Sequence, residues 1–379
     1  MTSSKSESSP SAGLPNTVHG PLVWSGVDFV DEDKYTCQLS QDEVEEVEAA
    51  LKSFKTLGLD GDEVARHNFP LPKLEPRLSD CATAVHGGPG FFLLKGLDAS
   101  KYSVEDSVTI YLGIASYIAD QRGLQDRKGN MLSHITDSKL WKVPVEQRHG
   151  IHSRSALPYH NDMGCDILAL QVRHGARYGG HTYLSSVWTA FNELLKEDPS
   201  MVATLLTPEW PVQISGQKAQ HYLAPALAIH EGKLMASLDP NRFGPHSSSG
   251  STDIPHLTTS QTEALEKISK IALKNELRLT LSTGDILFFN NWSLLHRRDS
   301  YTDDDITSRH MVRLWLRNTE LGWAVPNCML PPWLAAYGDN TKVQNRLYPL
   351  IPMPEYKAPK YSAGSAAFVI EDSDFSDNE

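Results

Sequence analysis

Apolar residues follow the spacing of a helix in three stretches of this chain. Residues 41–57 carry an apolar stripe behind Ser40 and Glu43, whose Ser-x-x-Glu spacing is a capping box at a helix N-terminus. Residues 103–120 open with a similar Ser-x-x-Asp signal. A third helix is predicted to begin at the spacing of Ser260 and Glu263, and its one-sided stripe consists of Ala264, Leu265, Ile268, Ile271 and Ala272.

Short apolar runs separated by Gly, Pro and Asn turns replace the helical spacing after about residue 135. Residues 91–94 already have the continuous apolar character of a buried strand, and residues 226–238 have the pattern of a hairpin with its turn at Glu231-Gly232-Lys233. Many short strands with such turns are typical of an antiparallel barrel or jelly roll. The pattern therefore predicts a mostly β fold with flanking helices, of the α+β class.

The two ends of the chain differ in composition from the middle. Residues 1–20 are rich in Ser, Pro and Gly, and residues 362–379 end in an acidic run, so both are expected to be flexible. Between them we find no internal repeat and no clear linker. We expect one domain over residues 21–361, with the β core at about 135–320 and a Pro-rich, aromatic segment, 321–361, wrapping around it.

Composition excludes several classes of protein. The 379 residues include 40% apolar residues, enough for a large core, and the net charge of −12 argues against a nucleic-acid surface. Four scattered cysteines fit a reducing compartment, and no apolar run is long enough to cross a bilayer. We expect a cytoplasmic protein with a small-molecule partner and neither nucleic acid nor membrane as partner. The oligomeric state, homo-oligomers included, stays open.

The candidate chemistry lies in His160-Asn161-Asp162 and in the later His296. On one strand, His160 and Asp162 would share a face because strand side chains alternate with period two. Two imidazoles and one carboxylate on one octahedral face form an oxygen-activating iron(II) site. One His-x-Asp tripeptide is expected by chance in such a composition, so the pair carries weight only together with the motifs around it.

These motifs occur in a characteristic order. The strand-like segment 165–172 is followed by Gly179-Gly180-His181-Thr182, then by residues 284–292 leading into His296, and then by arginines spaced by four at Arg309, Arg313 and Arg317. From about residue 69 to residue 318 the sequence resembles the TauD/TfdA-like family of iron(II) and 2-oxoglutarate-dependent oxygenases, most closely its fungal members. The ordered set is far more specific than any single motif.

The resemblance implies a fold, cofactors and an activity. The fold would be a double-stranded β-helix, with iron(II) held by His160, Asp162 and His296, and with 2-oxoglutarate and O2 as co-substrates. Decarboxylation of 2-oxoglutarate would be coupled to oxidation of a substrate C–H bond. Hydroxylation, desaturation, cyclisation and cleavage are all outcomes of this chemistry, and the sequence does not choose between them.

The resemblance also assigns roles around the cavity. The arginine that binds the far carboxylate of 2-oxoglutarate would be Arg309, beside Thr182, and Arg313 would bind the substrate or the same carboxylate. Which of Arg309 and Arg313 holds 2-oxoglutarate is open. An inward Arg313 favours a small anionic substrate such as an amino-acid derivative or a sulfonate. His134 and Asn161 are candidate pocket residues, although His134 also fits a buried core histidine.

Three other interpretations remain open. The oxygenase could tailor a neutral compound of secondary metabolism. The chain could be a non-catalytic barrel that binds partners, for which an intact set of metal ligands would be unneeded. A zinc hydrolase could use the same three ligands, but would leave Thr182 and Arg309 without a role.

Overall fold

The computed structural model describes residues 15–137, 150–214, 220–245, 253–304, 308–339, 343 and 345–352. Helices and strands are mixed along these residues. The helices are α1 Gln41–Thr56, α2 Glu75–Gly87, α3 Val104–Ile118, α4 Val187–Glu197, α5 Pro199–Leu206, α6 Thr259–Lys274 and α7 Leu330–Tyr337.

Seventeen strands accompany them in the described part of the chain. They are β1 Thr36–Gln38, β2 Phe91–Lys95, β3 Gln121–Arg122, β4 Leu132–Thr136, β5 Leu157–His160, β6 Ile167–His174, β7 Tyr178–Gly179, β8 Thr182–Ser186, β9 Trp210–Ile214, β10 Gln220–Ala224, β11 Leu227–His230, β12 Lys233–Ala236, β13 Leu277–Leu279, β14 Ile286–Asn290, β15 Leu294–Arg298, β16 Tyr301–Thr302 and β17 His310–Arg317.

Two sheets dominate the architecture. The larger has the order β1-β2-β14-β6-β17-β3, with β4 also paired to β17, and the smaller has the order β13-β8-β15-β5. Only the β1–β2 pair is parallel among the described pairs of strands. Strands β9 and β10, β11 and β12, and β7 and β16 form three further two-stranded pairs.

The two faces of the large sheet meet different partners because its strand residues alternate in direction. Val312 and Leu314 of β17 belong to a core cluster with residues of helices α1, α2 and α3. Met311 and Trp315, on the other face, belong to a cluster that also contains Leu184 of the small sheet. The space between the two sheets therefore has its own core, and helices α1–α3 cover the outer face.

Several sequence predictions are confirmed by these elements. The helices predicted at 41–57 and 103–120 are α1 and α3, and both begin at the expected serine, Ser40 and Ser103. The strand at 91–94 is β2, and the predicted hairpin is β11 and β12, with Glu231 at a φ of 47° in the turn.

Two predicted boundaries were wrong. Helix α6 is capped by Thr258 and Gln261, not by Ser260 and Glu263, because the capping box forms two residues earlier. The flexible leader was predicted to extend to residue 20, but Val18 is already held by the protein. Its backbone N–H donates to Asn192 Oδ1, and its carbonyl accepts from Asn192 Nδ2, both at 2.8 Å. The leader before residue 15 and the acidic tail lie outside the described residues.

The lengths and the apolar content of the described helices can be compared with what a bilayer requires. None of them combines the length and apolar character that a membrane-crossing helix requires.

Candidate metal centre

Three side chains bring their donor atoms together between the two sheets. His160, Asp162 and His296 each offer one ligand atom, and these atoms all lie within 4.8 Å of one another. His160 of β5 is the direct cross-strand partner of His296 of β15, and their ring centroids are 4.1 Å apart. It is the one such group of three or more metal-ligating side chains among the described residues. The sequence prediction for these three positions thus agrees with their placement in the structure.

The orientation of the His160 ring is fixed from behind. Its Nδ1 lies 2.8 Å from the carbonyl oxygen of Pro158, which can only accept a hydrogen bond, so Nδ1 carries the proton. The other ring nitrogen, Nε2, is the atom that a metal would use, and it lies 3.8 Å from Asp162 Oδ1. A carbonyl behind a metal-binding imidazole is the usual arrangement that fixes its tautomer.

Asp162 does not share a strand with His160, contrary to the expectation from period two. Strand β5 ends at His160, and Asp162 follows in a turn. Asn291 holds this turn: its side-chain oxygen accepts from Asp162 N at 2.9 Å, and its amide nitrogen donates to the carbonyls of Asp162 and Cys165 at 2.8 Å. The turn geometry, and not strand alternation, therefore aims the carboxylate.

One carboxylate oxygen of Asp162 accepts hydrogen bonds from neighbouring side chains. Oδ2 accepts from Arg313 Nη1 at 2.8 Å and from Trp315 Nε1 at 3.0 Å, while Arg313 Nε donates to Gln125 Oε1 at 2.8 Å. Burial by itself would raise the pKa of Asp162, but the charge of Arg313 and the hydrogen bond from Trp315 help to lower it instead. The carboxylate is therefore ionised, and Oδ1 is the oxygen left to face a metal.

His296 is held in its neutral form. Burial, together with the neighbouring His160, lowers its pKa to about 3. Its Nδ1 is buried without a hydrogen-bond partner. Neutral imidazole is the form that ligates metals, and a buried polar atom without a partner is uncommon in folded proteins.

The donor set fits a particular class of metal. Two imidazoles and one ionised carboxylate form the facial triad of non-haem iron(II) oxygenases. His160 Nε2 lies 3.8 Å from Asp162 Oδ1, and the ligand atoms of all three residues lie within 4.8 Å of one another. The residues therefore fit iron(II).

Arg309 lies in the same cavity with an unused hydrogen-bond donor. Its Nε donates to the Gly180 carbonyl at 3.1 Å and its Nη2 contacts Met311 Sδ at 2.9 Å, but its buried Nη1 has no partner. Burial, with a further contribution from the charge of Arg298, lowers the pKa of Arg309 to about 10, so it is still protonated at neutral pH. A buried cation with a free donor is costly unless an anion completes it.

The cavity has a polar end and an apolar wall. Thr182, Arg298, Arg309 and Arg313 line it together with the three candidate ligands. Its apolar wall consists of Ile135, Ile151, Leu157, Leu168, Leu170 and Met311. Such a lining offers polar contacts to a charged group and apolar contacts to a hydrocarbon group.

The arginine series divides between two roles. Arg309 and Arg313 line the cavity, whereas Arg317 forms an ion pair with the buried Asp166 and lies over the Trp333 ring at 4.8 Å. Arg313 is not short of an anion, because Asp162 supplies one. The inward position of Arg313 therefore does not by itself indicate an anionic substrate.

Two candidate pocket residues do not reach the cavity. Both ring nitrogens of His134 are engaged, with His310 at 2.8 Å and with the Pro349 carbonyl at 2.7 Å. His134 pairs with Val312 in the sheet and so faces away from the metal side, where Arg313 points. Its prediction as a pocket residue was wrong, because strand side chains alternate and the adjacent Ile135, not His134, lines the cavity.

Asn161 was also predicted wrongly as a pocket residue. It is fully buried, its amide nitrogen donates to the carbonyls of Asn291 and Leu294, and its side-chain oxygen accepts from Leu238 N at 3.1 Å. It braces the turn that carries Asp162.

Sequence reasoning missed the residues that support the ligands. Trp315 could have been found, because it lies two residues after Arg313 on the same face of β17. Gln125 and Asn291 carried no local signal, since each reaches its partner across more than a hundred residues of sequence.

Removing the Asp162 carboxylate is expected to destabilise the metal-free protein. Asp162 and Arg313 have side chains only 2% and 3% exposed, so Asp162→Ala leaves a buried guanidinium without its anion. We expect the free energy of unfolding in urea to fall by about 3–5 kcal/mol. The double variant Asp162→Ala/Arg313→Met should recover part of this loss. A loss below about 1 kcal/mol in the single variant would contradict the buried ion pair.

Comparison with known proteins places this geometry in a family. Residues 53–315, well over half of the chain, match the family described as taurine catabolism dioxygenase TauD, TfdA family. A taurine hydroxylase-like protein, SAT17, from Stachybotrys chartarum is 32% identical over 324 residues, covering 83% of each chain. FR-33289 synthase from Streptomyces rubellomurinus is 23% identical over 327 residues, 83% of this chain and 94% of that protein.

Solved structures share the fold. An asparagine oxygenase in complex with Fe(II), 2S,3S-3-hydroxyasparagine and succinate superposes with a TM-score of 0.59 at 18% identity, over 75% of this chain and 93% of that one. The non-heme iron oxygenase OrfP in complex with Fe and alpha-ketoglutaric acid has a TM-score of 0.55 at 14% identity, over 74% and 93% of the two chains. At these identities the likeness concerns the fold.

Proposed function

The chain belongs to the TauD, TfdA family of dioxygenases, and we propose that it couples decarboxylation of 2-oxoglutarate to oxidation of a C–H bond in a small organic substrate. It is a non-haem iron, 2-oxoglutarate-dependent oxygenase by this membership. The double-stranded β-helix expected for the family is our interpretation of the two facing sheets.

One observation carries the proposal most directly. A buried arginine with a free donor, Arg309 Nη1, lines the same cavity as His160, Asp162 and His296. A zinc hydrolase or a binding barrel would have no use for such a cation. 2-Oxoglutarate would use both the metal ligands and the arginine, because one end of the molecule chelates the metal while the other end carries a carboxylate.

The residues of the cavity would have three roles: holding iron, orienting a ligand and binding 2-oxoglutarate. Bound iron supplies the oxygen-activating chemistry, held by His160, Asp162 and His296. Arg313 and Trp315 keep the Asp162 carboxylate ionised and oriented. We assign the far carboxylate of 2-oxoglutarate to Arg309, with the hydroxyl of the buried Thr182 beside it.

Arg309 is a better candidate than Arg313 for this carboxylate. Arg313 already donates to Asp162 and to Gln125, and it has further interactions. Of these two arginines, Arg309 is the one with a buried donor that has no hydrogen-bond partner. A role of Arg313 at the substrate remains our secondary proposal, in which it would share its charge with Asp162.

Anaerobic titration tests the proposed function without a known substrate. Adding iron(II) and then 2-oxoglutarate should give the weak visible charge-transfer band of the chelate. His296→Ala should give no band under the same conditions. A wild-type protein that binds iron but shows no band with 2-oxoglutarate would contradict the assignment.

For the substrate we propose a small, anionic, amino-acid-like molecule. Two solved structures of this fold are oxygenases whose complexes hold the amino acids 3-hydroxyasparagine and hydroxyarginine, which supports this substrate class. A neutral secondary metabolite is the second candidate. The aliphatic wall formed by Ile151, Leu168 and Leu170 favours it.

A substrate panel should separate the two candidates. We expect amino acids, acylated amino acids or sulfonates to stimulate succinate release, and esterification or amidation of the anionic group to lower kcat/KM by at least about tenfold. The measurement is substrate-stimulated succinate production from 2-oxoglutarate. If neutral terpenoid or polyketide compounds stimulate turnover while every anion fails, the small-anion proposal is wrong.

A further inference from the structure

Buried polar atoms without hydrogen-bond partners gather on one short stretch after the distal metal ligand. They belong to five residues between positions 298 and 309, and six atoms are involved. These are Arg298 Nε and Nη1, Asp299 Oδ1, the Tyr301 hydroxyl, Asp303 Oδ2 and Arg309 Nη1. Buried polar groups are nearly always hydrogen-bonded, so such a concentration indicates a missing polar partner.

Arg298 is held rigidly with its free donors directed away from its anchors. Its Nη2 donates to the backbone carbonyls of Ser153 at 2.9 Å, Gly150 at 3.4 Å and Ser155. A guanidinium group is planar, so fixing Nη2 also fixes the directions of Nε and Nη1. Arg298 lines the cavity that contains the metal ligands. The directions of its two unused donors are therefore fixed.

The two arginines with free donors share one aromatic neighbour. The guanidinium carbons of Arg298 and Arg309 lie 5.0 Å and 5.4 Å from the centroid of the Tyr301 ring. Burial lowers the pKa of both arginines, and the charge of Arg298 contributes to the lowered pKa of Arg309. Two buried like charges repel each other, and an anion between them would relieve this repulsion.

The nearby carboxylates do not supply that anion through hydrogen bonds to the guanidinium groups. Asp303 Oδ1 accepts from the backbone nitrogen of Arg309 at 3.0 Å, and Asp299 Oδ2 contacts His181 Nδ1 at 2.9 Å. Their remaining oxygens have no partner. The free donors of Arg298 are therefore available to a ligand.

We propose that Arg298 is a second cationic contact for the far carboxylate of 2-oxoglutarate, acting with Arg309. The free donors are Arg298 Nε and Nη1 and Arg309 Nη1, and both residues line the cavity. A carboxylate has about four lone-pair sites, enough to accept from all three donors. The inference rests on the proposed function, because it requires that 2-oxoglutarate be the co-substrate.

The test compares two ligands that share a chelating end. 2-Oxopentanoate has the 2-oxo acid of 2-oxoglutarate but a methyl group in place of the far carboxylate. Calorimetric titration of the iron(II)-loaded protein without oxygen gives the dissociation constant of each ligand. We expect Arg298→Lys to lower the preference for 2-oxoglutarate by about tenfold or more, since hydrogen bonds to charged groups are the strong ones.

Arg297 provides the matched control. It lines the same cavity, but its Nε and Nη2 both donate to Glu276 at 2.7 Å. Arg297→Lys should leave the preference unchanged. If Arg298→Lys weakens both ligands equally, Arg298 only holds residues 150–155 and the inference is wrong. If the wild-type protein does not bind 2-oxoglutarate, the proposed function itself fails.

If Arg298→Lys does not fold, a second variant tests whether Arg298 contacts the far carboxylate. Arg309→Gln removes one of the two charges and leaves Arg298 in place. With both arginines at the carboxylate, this variant should keep a preference for 2-oxoglutarate of about tenfold. A complete loss of preference would show that Arg309 acts alone and would overturn the inference.

Discussion

His296→Ala is expected to remove iron(II) binding and, with it, 2-oxoglutarate turnover. Loss of a group that only orients a metal ligand costs about 10–100-fold in affinity, so loss of the ligand itself should cost more than about 100-fold. The protein should stay folded, because His296 is a neutral imidazole with a pKa of about 3 and its removal leaves no buried charge unpaired. Iron stoichiometry, succinate production and circular dichroism check these three points.

A buried histidine elsewhere in the fold is the control for this variant. His134 is buried in β4, on the face of the large sheet opposite to Arg313, where it contacts His310 and the Pro349 carbonyl. His134→Gln should therefore keep its iron stoichiometry. Unchanged iron content and succinate production in His296→Ala would show that the three side chains do not form the metal site.

Arg309→Lys is expected to weaken 2-oxoglutarate binding by at least about tenfold, which corresponds to about 1.4 kcal/mol. The guanidinium group is fixed at Nε by the Gly180 carbonyl, and an ammonium group cannot reproduce this fork. The KM for 2-oxoglutarate should rise, whereas iron stoichiometry should not change. Initial rates at varied 2-oxoglutarate, with direct iron analysis, measure both quantities.

The other arginines of the series serve as comparisons. Arg317 forms an ion pair with Asp166 and does not line the cavity, so Arg317→Lys should not change the affinity for 2-oxoglutarate. Arg313→Lys should also weaken iron binding, because Arg313 orients Asp162. If Arg313→Lys, and not Arg309→Lys, weakens 2-oxoglutarate selectively, the two roles are exchanged.

Local patterns in the sequence were sufficient for helices α1 and α3 and for the donor types of the candidate site. Helices α1 and α3 begin at the predicted Ser40 and Ser103, because a capping box is a contact between residues three apart. The hairpin of β11 and β12 was predictable for the same reason, since its turn residues are adjacent. Donor types and their order along the chain indicated the metal, because ligand chemistry depends on residue type.

The sequence could not show how the ligands are aimed. Asp162 lies beyond the end of β5, and Asn291, from a distant segment, fixes its turn. Trp315 and Gln125 act on the Asp162–Arg313 pair only because β17 crosses the large sheet beside β6 and the segment containing Gln125 returns to it. Such contacts depend on how the sheets pack, which no local spacing encodes.

The amino-acid sequence by itself thus indicated His160, Asp162 and His296 as candidate iron ligands and Arg309 and Arg313 as candidate partners of a carboxylate. Only the tertiary structure decided that Arg313 finds its anion in Asp162, that His134 faces the opposite side of the sheet, and that Arg298 joins Arg309 in the cavity. The physical reason is that the free energy of placing a charge depends on its burial and on its partners. Both are set by contacts between residues far apart in the chain.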